Sequence, residues 1–288
     1  MENLINGLKM NRQFAVSSLL VLALFLIAVA APLFSPYDPV EATMKNAYLS
    51  PCAEHIFGTD KLGRDVFSRI LYGARYSLSG VLLLVAVIFF VGTSLGIISG
   101  YYGGKVDAVI MRISDMMISF PGMILAIAIA GILGGSLVNA VIALTVVSWT
   151  KYARLARSMV LKIKKRDFVE AAIVNGGKPA HILWQHIVPN ILPLMVITAA
   201  ADIGAMMMEL AGLSFLGFGS QPPAPEWGLM LNEGRQQLQT APWLMIFPGL
   251  AIFVTVVIFN LWGDSLRDVL DPRRSEERRV GKECRSRW

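Results

Sequence analysis

Long uncharged stretches alternate with short charged ones along this chain, and their lengths decide what they are. A hydrocarbon layer about 30 Å thick is crossed by about 20 helical residues rising 1.5 Å each. The run 14–34 carries no charge and is long enough to cross once. Lys9 and Arg12 before it, and Ala28-Val29-Ala30 near its end, also fit a cleaved signal, but its apolar length favours an uncleaved anchor. The next uncharged stretch, 76–104, predicts a crossing over 78–100, and within it Gly92, Gly96, Gly100 and Gly104 recur every fourth residue. Small residues at that spacing let two helix backbones approach closely. No charge occurs between Asp115 and Lys151, and Gly134-Gly135-Ser136 breaks that run into crossings predicted at 112–133 and 137–156. Two further runs, 190–217 and 243–263, bring the expectation to six membrane-spanning helices.

Charge sets the orientation. The segment 151–189 carries eight Lys or Arg, whereas 219–242 carries only Arg235. Cytoplasmic loops collect basic residues, so the first segment is expected inside, the second outside, and both termini inside. The segment 35–75 is less decisive, with five basic and five acidic residues.

Composition narrows the class further. Hydrophobic residues make up 55% of the chain and charged ones 16%, against about 25% charged in soluble domains. The net charge of +6 sits between the apolar runs and not on a soluble basic stripe, which argues against nucleic-acid binding. Cys52 and Cys284 form no CxxC pair, and His55, His181 and His186 are scattered, so no bound metal is expected. The stretch 273–288 turns abruptly charge-dense and reads as a non-native or disordered tail; 1–272 reads as one transmembrane domain.

The basic loop 157–189 carries the clearest motif. Glu170-Ala171-Ala172 favours helix, Gly176-Gly177 permits a sharp turn, and Pro179 suits the first turn of a second short helix expected to stop near Pro189. A helical hairpin on the cytoplasmic face is shaped to dock into a partner's groove. At these residues the chain resembles the permeases of ABC importers, whose pattern reads E-A-A, three residues, Gly, nine residues, then I-x-L-P. Here His186 stands at the Ile position and Val188 at the Leu position, so the second half is degenerate. The resemblance implies a type I permease fold in which this loop is the coupling helix that rests on an ATPase subunit. Glu170, Ala171, Ala172, Gly176, Pro179 and Pro189 would then carry coupling.

A second motif narrows the branch. The segment from Gly58-Thr59-Asp60 through Gly63-Arg64-Asp65 to Arg69, with Gly73-Ala74-Arg75 after it, is similar to a signature of dipeptide, oligopeptide and nickel permeases. Ser214-Phe215-Leu216-Gly217, Pro225-Glu226-Trp227-Gly228 and Asn260-Leu261-Trp262-Gly263-Asp264 extend the resemblance to nearly all of 14–272, in the manner of the second permease of a pair. Read on its own chemistry, 65–71 is amphipathic and is expected to lie at the outer membrane surface, bracing an external gate. The partners implied are a homologous permease, two ATP-binding-cassette subunits that bind the ATP and Mg, and an extracytoplasmic solute-binding protein, all at a bacterial inner membrane. No cofactor is expected in this chain. The cargo implied is a dipeptide, an oligopeptide or nickel.

Asp202 and Glu209 are seven residues apart and therefore share a face of the fifth crossing. Intramembrane carboxylates are costly, so they either line the solute path or pair with a neighbouring helix. Met206 adjoins them and is read as packing or as part of that path. Two other classes compete with an importer subunit. A membrane enzyme would need a motif such as GxSxG or HExxH in a suitable setting; HExxH does not occur, and the GxSxG match from Gly92 to Gly96 falls inside the glycine-spaced crossing and not at a strand-to-helix turn. A secondary transporter would not need the 170–189 hairpin. No phosphate loop is present either, since Gly104-Lys105 is followed by Val106 and Gly177-Lys178 by Pro179, so hydrolysis is expected in separate subunits.

Overall fold

A computed structural model describes residues 12–270 and is built from helices joined by turns and by two longer segments, 35–65 and 216–226. The tail 273–288, and with it the expected position of both termini, lies outside the described residues. The helices are α1 (Arg12–Phe34), α2 (Val66–Tyr102), α3 (Gly104–Ile118), α4 (Gly122–Leu133) and α5 (Leu137–Ile163). They continue with α6 (Asp167–Val174), α7 (Pro179–Ile182), α8 (Val188–Phe215), α9 (Trp227–Gly234) and α10 (Trp243–Leu270). By length and composition α1, α2, the α7–α8 run and α10 can each cross a membrane, and α3 with α4 adds a fifth crossing if taken together. α5 has 27 residues, enough to cross, but its second half carries Lys151, Arg154, Arg157 and Lys162.

Three expectations change here. The crossing expected over 112–133 is not one helix: α3 and α4 meet at 94° across 119–121. Pro121 has no N–H to give to the preceding turn, and the residue before a proline avoids helical geometry, so the chain turns inside the uncharged run. α3 is held against α5 by ion pairs, Arg157 Nε to Asp107 Oδ1 at 2.5 Å and Arg154 Nη2 to Asp115 Oδ1 at 2.5 Å. Second, residues 66–71 are not a separate helix laid before the second crossing. They are the first turns of α2, started by the Asp65 carboxylate, which accepts from Ser68 N at 2.7 Å. Third, Pro189 does not stop a helix. A π-helical turn at Leu183–Ile187 leads straight into α8, and its wider ring removes the clash between the proline and the carbonyl four residues back.

The glycine stripe packs as its spacing implies. A Cβ added at Gly92 would lie 2.6 Å from Tyr152 Cβ, one at Gly96 2.7 Å from Ala156 Cβ, and one at Gly100 2.8 Å from Val160 Cβ. α2 and α5 therefore run in near-backbone contact, each glycine opposite one turn of α5. Gly104 does not belong to this face, because Gly103 and Gly104 adopt φ of +64° and +54° and end α2. α8 lies against α10, and α1 closes over α2 and α10.

Candidate functional site

Three places in the fold hold the residues singled out by the sequence. The first is the hairpin α6–α7. α6 ends in an αL glycine cap: Gly177 N donates to Ala172 O and Gly176 N to Ile173 O, both at 3.0 Å, with Gly176 at φ +77°. That geometry explains the spacing from Glu170 to Gly176, since the glycine must follow the helix where a left-handed residue is required. Pro179 opens α7, and Pro189 lies in the first turn of α8. The underside is apolar and buried through Val169, Ile182 and Ile187. The outer surface is apolar too, with Val174 86% and Trp184 72% exposed beside Phe168 and Ile173. Glu170, Ala171, Lys165, Arg166 and Lys178 are exposed around them, while Ala172 is half-buried.

The second place is a clamp where the 58–69 signature meets α9. Arg64 Nε donates to Asp60 Oδ2 at 2.6 Å, and Arg64 Nη2 reaches the two oxygens of Glu233 at 3.2 and 3.1 Å. Arg69 Nη2 donates to Glu233 Oε2 at 2.9 Å. Both guanidinium side chains are only 1% exposed. Asp65 uses its other oxygen on His55 Nδ1 at 2.9 Å, which ties that histidine into the clamp. Thr59 is tied in through its carbonyl, which accepts from Trp243 Nε1 at 3.2 Å, and Gly58 and Gly63 make positive-φ turns against Trp243 and Thr43. Glu226 caps α9 by accepting from Gly228 N and Leu229 N at 2.8 Å each. Burial pushes its carboxyl above the usual carboxylate range, and those two hydrogen bonds pull it back. Trp227 completes the join, donating from its indole to Ile70 O at 3.0 Å. Sequence reasoning missed Glu233, whose only signal is that it is the lone acid between 227 and 242.

The third place is inside the bundle. Asp202 on α8 is buried and accepts from Lys151 Nζ on α5 at 2.6 Å, so it pairs with a neighbouring helix. Tyr152, also buried, lies close enough to Asp202 to interact electrostatically. Glu209 and Met206 are half-buried on the same helix. Lys151 falls within the crossing expected over 137–156, but its partner 51 positions away is invisible to local pattern.

Comparison with known proteins shows the family of the chain as a whole. Residues 92–276 match the family described as binding-protein-dependent transport system inner membrane component. Residues 5–51 match the N-terminal transmembrane domain of oligopeptide transport permease C. The chain is 45% identical over 266 residues to a dipeptide transport system permease protein of Alkalihalophilus pseudofirmus, covering 92% of this chain and 88% of that one. It is 41% identical to a nickel transport system permease protein of Escherichia coli K12, covering 88% and 92%. A glutathione transport system permease protein of Pectobacterium atrosepticum is 45% identical, covering 89% and 86%. Among solved structures, a chain of the MetNI methionine ABC transporter aligns with a TM-score of 0.58 at 19% identity, over 70% of this chain and 97% of that one, a likeness of fold. The chain therefore belongs to the inner-membrane components of binding-protein-dependent transport systems, the permease subunits of ABC importers, on the branch that includes dipeptide, oligopeptide and nickel permeases.

Proposed function

We propose that this chain is one of two homologous permeases around a solute path and that it crosses the membrane six times with both termini in the cytoplasm. Two separate ATPase subunits bind ATP and Mg, one of them docking on the α6–α7 hairpin of this chain; the chain itself hydrolyses nothing. The observation that carries this reading is the hairpin surface, where Trp184 and Val174 stand out of the fold above a buried apolar underside and among exposed Lys and Arg. A tryptophan held rigidly in that position is an anchor for a partner's pocket. Because the π-turn joins the hairpin directly to α8, a push on the hairpin moves α8, which carries Asp202 and Glu209. The clamp of α9 on the α2 N-terminus would transmit that movement to the outer surface, where a solute-binding protein delivers the cargo. The cargo is a small peptide or nickel, as the names of the relatives suggest.

Purification tests this reading. The chain should co-purify with a second permease and two ATPase subunits, and Trp184→Ala should release the ATPases while leaving the permease pair together. ATP hydrolysis by the clean isolated chain would overturn it.

A further inference from the structure

Lys151 and Asp202 lie near the middle of their helices, Asp202 about 20 Å from either end of α8 and Lys151 about 21 Å from the outer end of α5. The lysine side chain is 62% exposed in the single chain although it is 2.6 Å from its partner. A charge at that depth faces the bundle interior or a water-filled cavity, not lipid. The face of α5 and α8 that holds this pair is thus the face turned toward the solute path. The carboxylate is not used up by the lysine. Asp202 Oδ2 is buried and makes no hydrogen bond of good geometry, and the buried hydroxyl of Tyr152, likewise without one, is the neighbour close enough to interact with it. Glu209, two turns nearer the C-terminal end of α8, feels the charges of both Asp202 and Lys151. The three groups carry one positive and two negative charges.

What the site accepts can be read from what occupies it. A primary ammonium, that of Lys151, sits against Oδ1 with acceptor capacity to spare. Among the described residues no group of three or more His, Cys, Asp or Glu is placed to hold a metal ion. We propose that Asp202, assisted by Glu209, is a transit site for the protonated amino group of a peptide cargo, and that Lys151 fills this site when no cargo is present. This rests on the importer reading above and adds the chemical class of the cargo. Passage exchanges one ammonium for another, so the carboxylate never loses its counter-charge inside the membrane. Lys151, displaced, is then free to pair with the cargo's carboxylate.

The test uses the full complex, with its second permease, ATPases and binding protein, in proteoliposomes, and measures ATP-dependent uptake of dialanine and, separately, of Ni²⁺. Three variants are compared with the parent: Asp202→Asn, Lys151→Gln, and the charge exchange Lys151→Asp with Asp202→Lys. Asp202→Asn is expected to lower dialanine uptake at least tenfold in an assembled complex whose ATPase still responds to the binding protein. Lys151→Gln removes only the group that fills the empty site, so it should lower uptake less than Asp202→Asn does, and an equal loss would mark the pair as a brace and overturn the proposal. The exchange restores an ion pair but puts a cation where the cargo amine must go, so in a complex that assembles it should stay as inactive as Asp202→Asn. Restored uptake in the exchange variant would show that the pair is only a structural brace and overturn the proposal, as would normal uptake with Asp202→Asn. Should Asp202→Asn fail to assemble, the exchange variant decides, its inactivity in an assembled complex supporting the proposal and its restored uptake refuting it. Uptake of Ni²⁺ but not dialanine by the parent also refutes it, whereas uptake of neither refutes the importer reading itself.

Discussion

Replacing Glu233 by glutamine would remove the negative charge shared by two guanidiniums that have almost no access to water. Arg64 would lose contacts at 3.1 and 3.2 Å and Arg69 its contact at 2.9 Å, leaving Asp60 as the anion for both, 2.6 Å from Arg64 but 3.7 Å from Arg69. Breaking a buried charge pair by deleting one partner costs about 3–5 kcal/mol, because the remaining charge is left uncompensated. An exposed pair would cost only about 0.2–1 kcal/mol. At about 2–4 °C per kcal/mol for chains of this order of size, Glu233→Gln should lower the melting temperature of the purified complex by roughly 6–20 °C. The double variant Arg69→Met with Glu233→Met removes both charges, and Arg64 keeps Asp60. It should therefore be less destabilised than the sum of its single variants by about 1–3 kcal/mol. Thermal unfolding of the four proteins in the same detergent supplies the cycle. A drop of less than 2 °C for Glu233→Gln, or strict additivity, would refute the idea that this clamp is a dry, coupled unit.

Other outcomes follow from the same geometry. Gly96→Leu forces a side chain into Ala153 and Ala156, and overpacking of that kind costs about 1–3 kcal/mol or more, so the yield of monodisperse protein should fall, measured by size-exclusion chromatography. Gly176 has open space around its missing Cβ, so Gly176→Asp should cost only the left-handed strain, about 1 kcal/mol. Combined with Glu170→Lys it should nevertheless reduce uptake far more than it reduces membrane abundance, measured side by side in cells. A reporter placed near Gly177 should signal cytoplasm and one near Pro223 the outer side; the reverse pattern would overturn the topology.

Some of this was legible in the sequence because the signal was local. Uncharged runs of twenty residues have one physical solution in a membrane, and glycines four apart on a helix demand a close neighbour, which α5 supplies at Ala153 and Ala156. The hairpin was legible for the same reason, since the glycine cap depends on residues only a few positions apart. What stayed hidden depends on distance along the chain. Arg64 and Glu233 are 169 residues apart, and nothing near either one announces the other. The bend at Pro121 had a local signal, Pro121-Gly122, which a criterion of charge and length alone does not weigh. The amphipathic reading of 65–71 failed because Asp65 and Arg69 face protein and not water: a buried ion network and a wetted surface give the same residue pattern.

The most direct test of the account is solute uptake into proteoliposomes that contain the binding protein, both permeases and both ATPases. Three samples are compared: the intact complex, the complex with Glu170→Lys and Gly176→Asp in this chain, and the complex without ATP. The account predicts uptake only in the intact, ATP-supplied sample, and in the loop variant an assembled permease pair from which the ATPases are released or uncoupled. Uptake in the loop variant equal to the intact complex, with ATPases bound normally, would contradict the claim that this hairpin is where the chain receives the energy for transport.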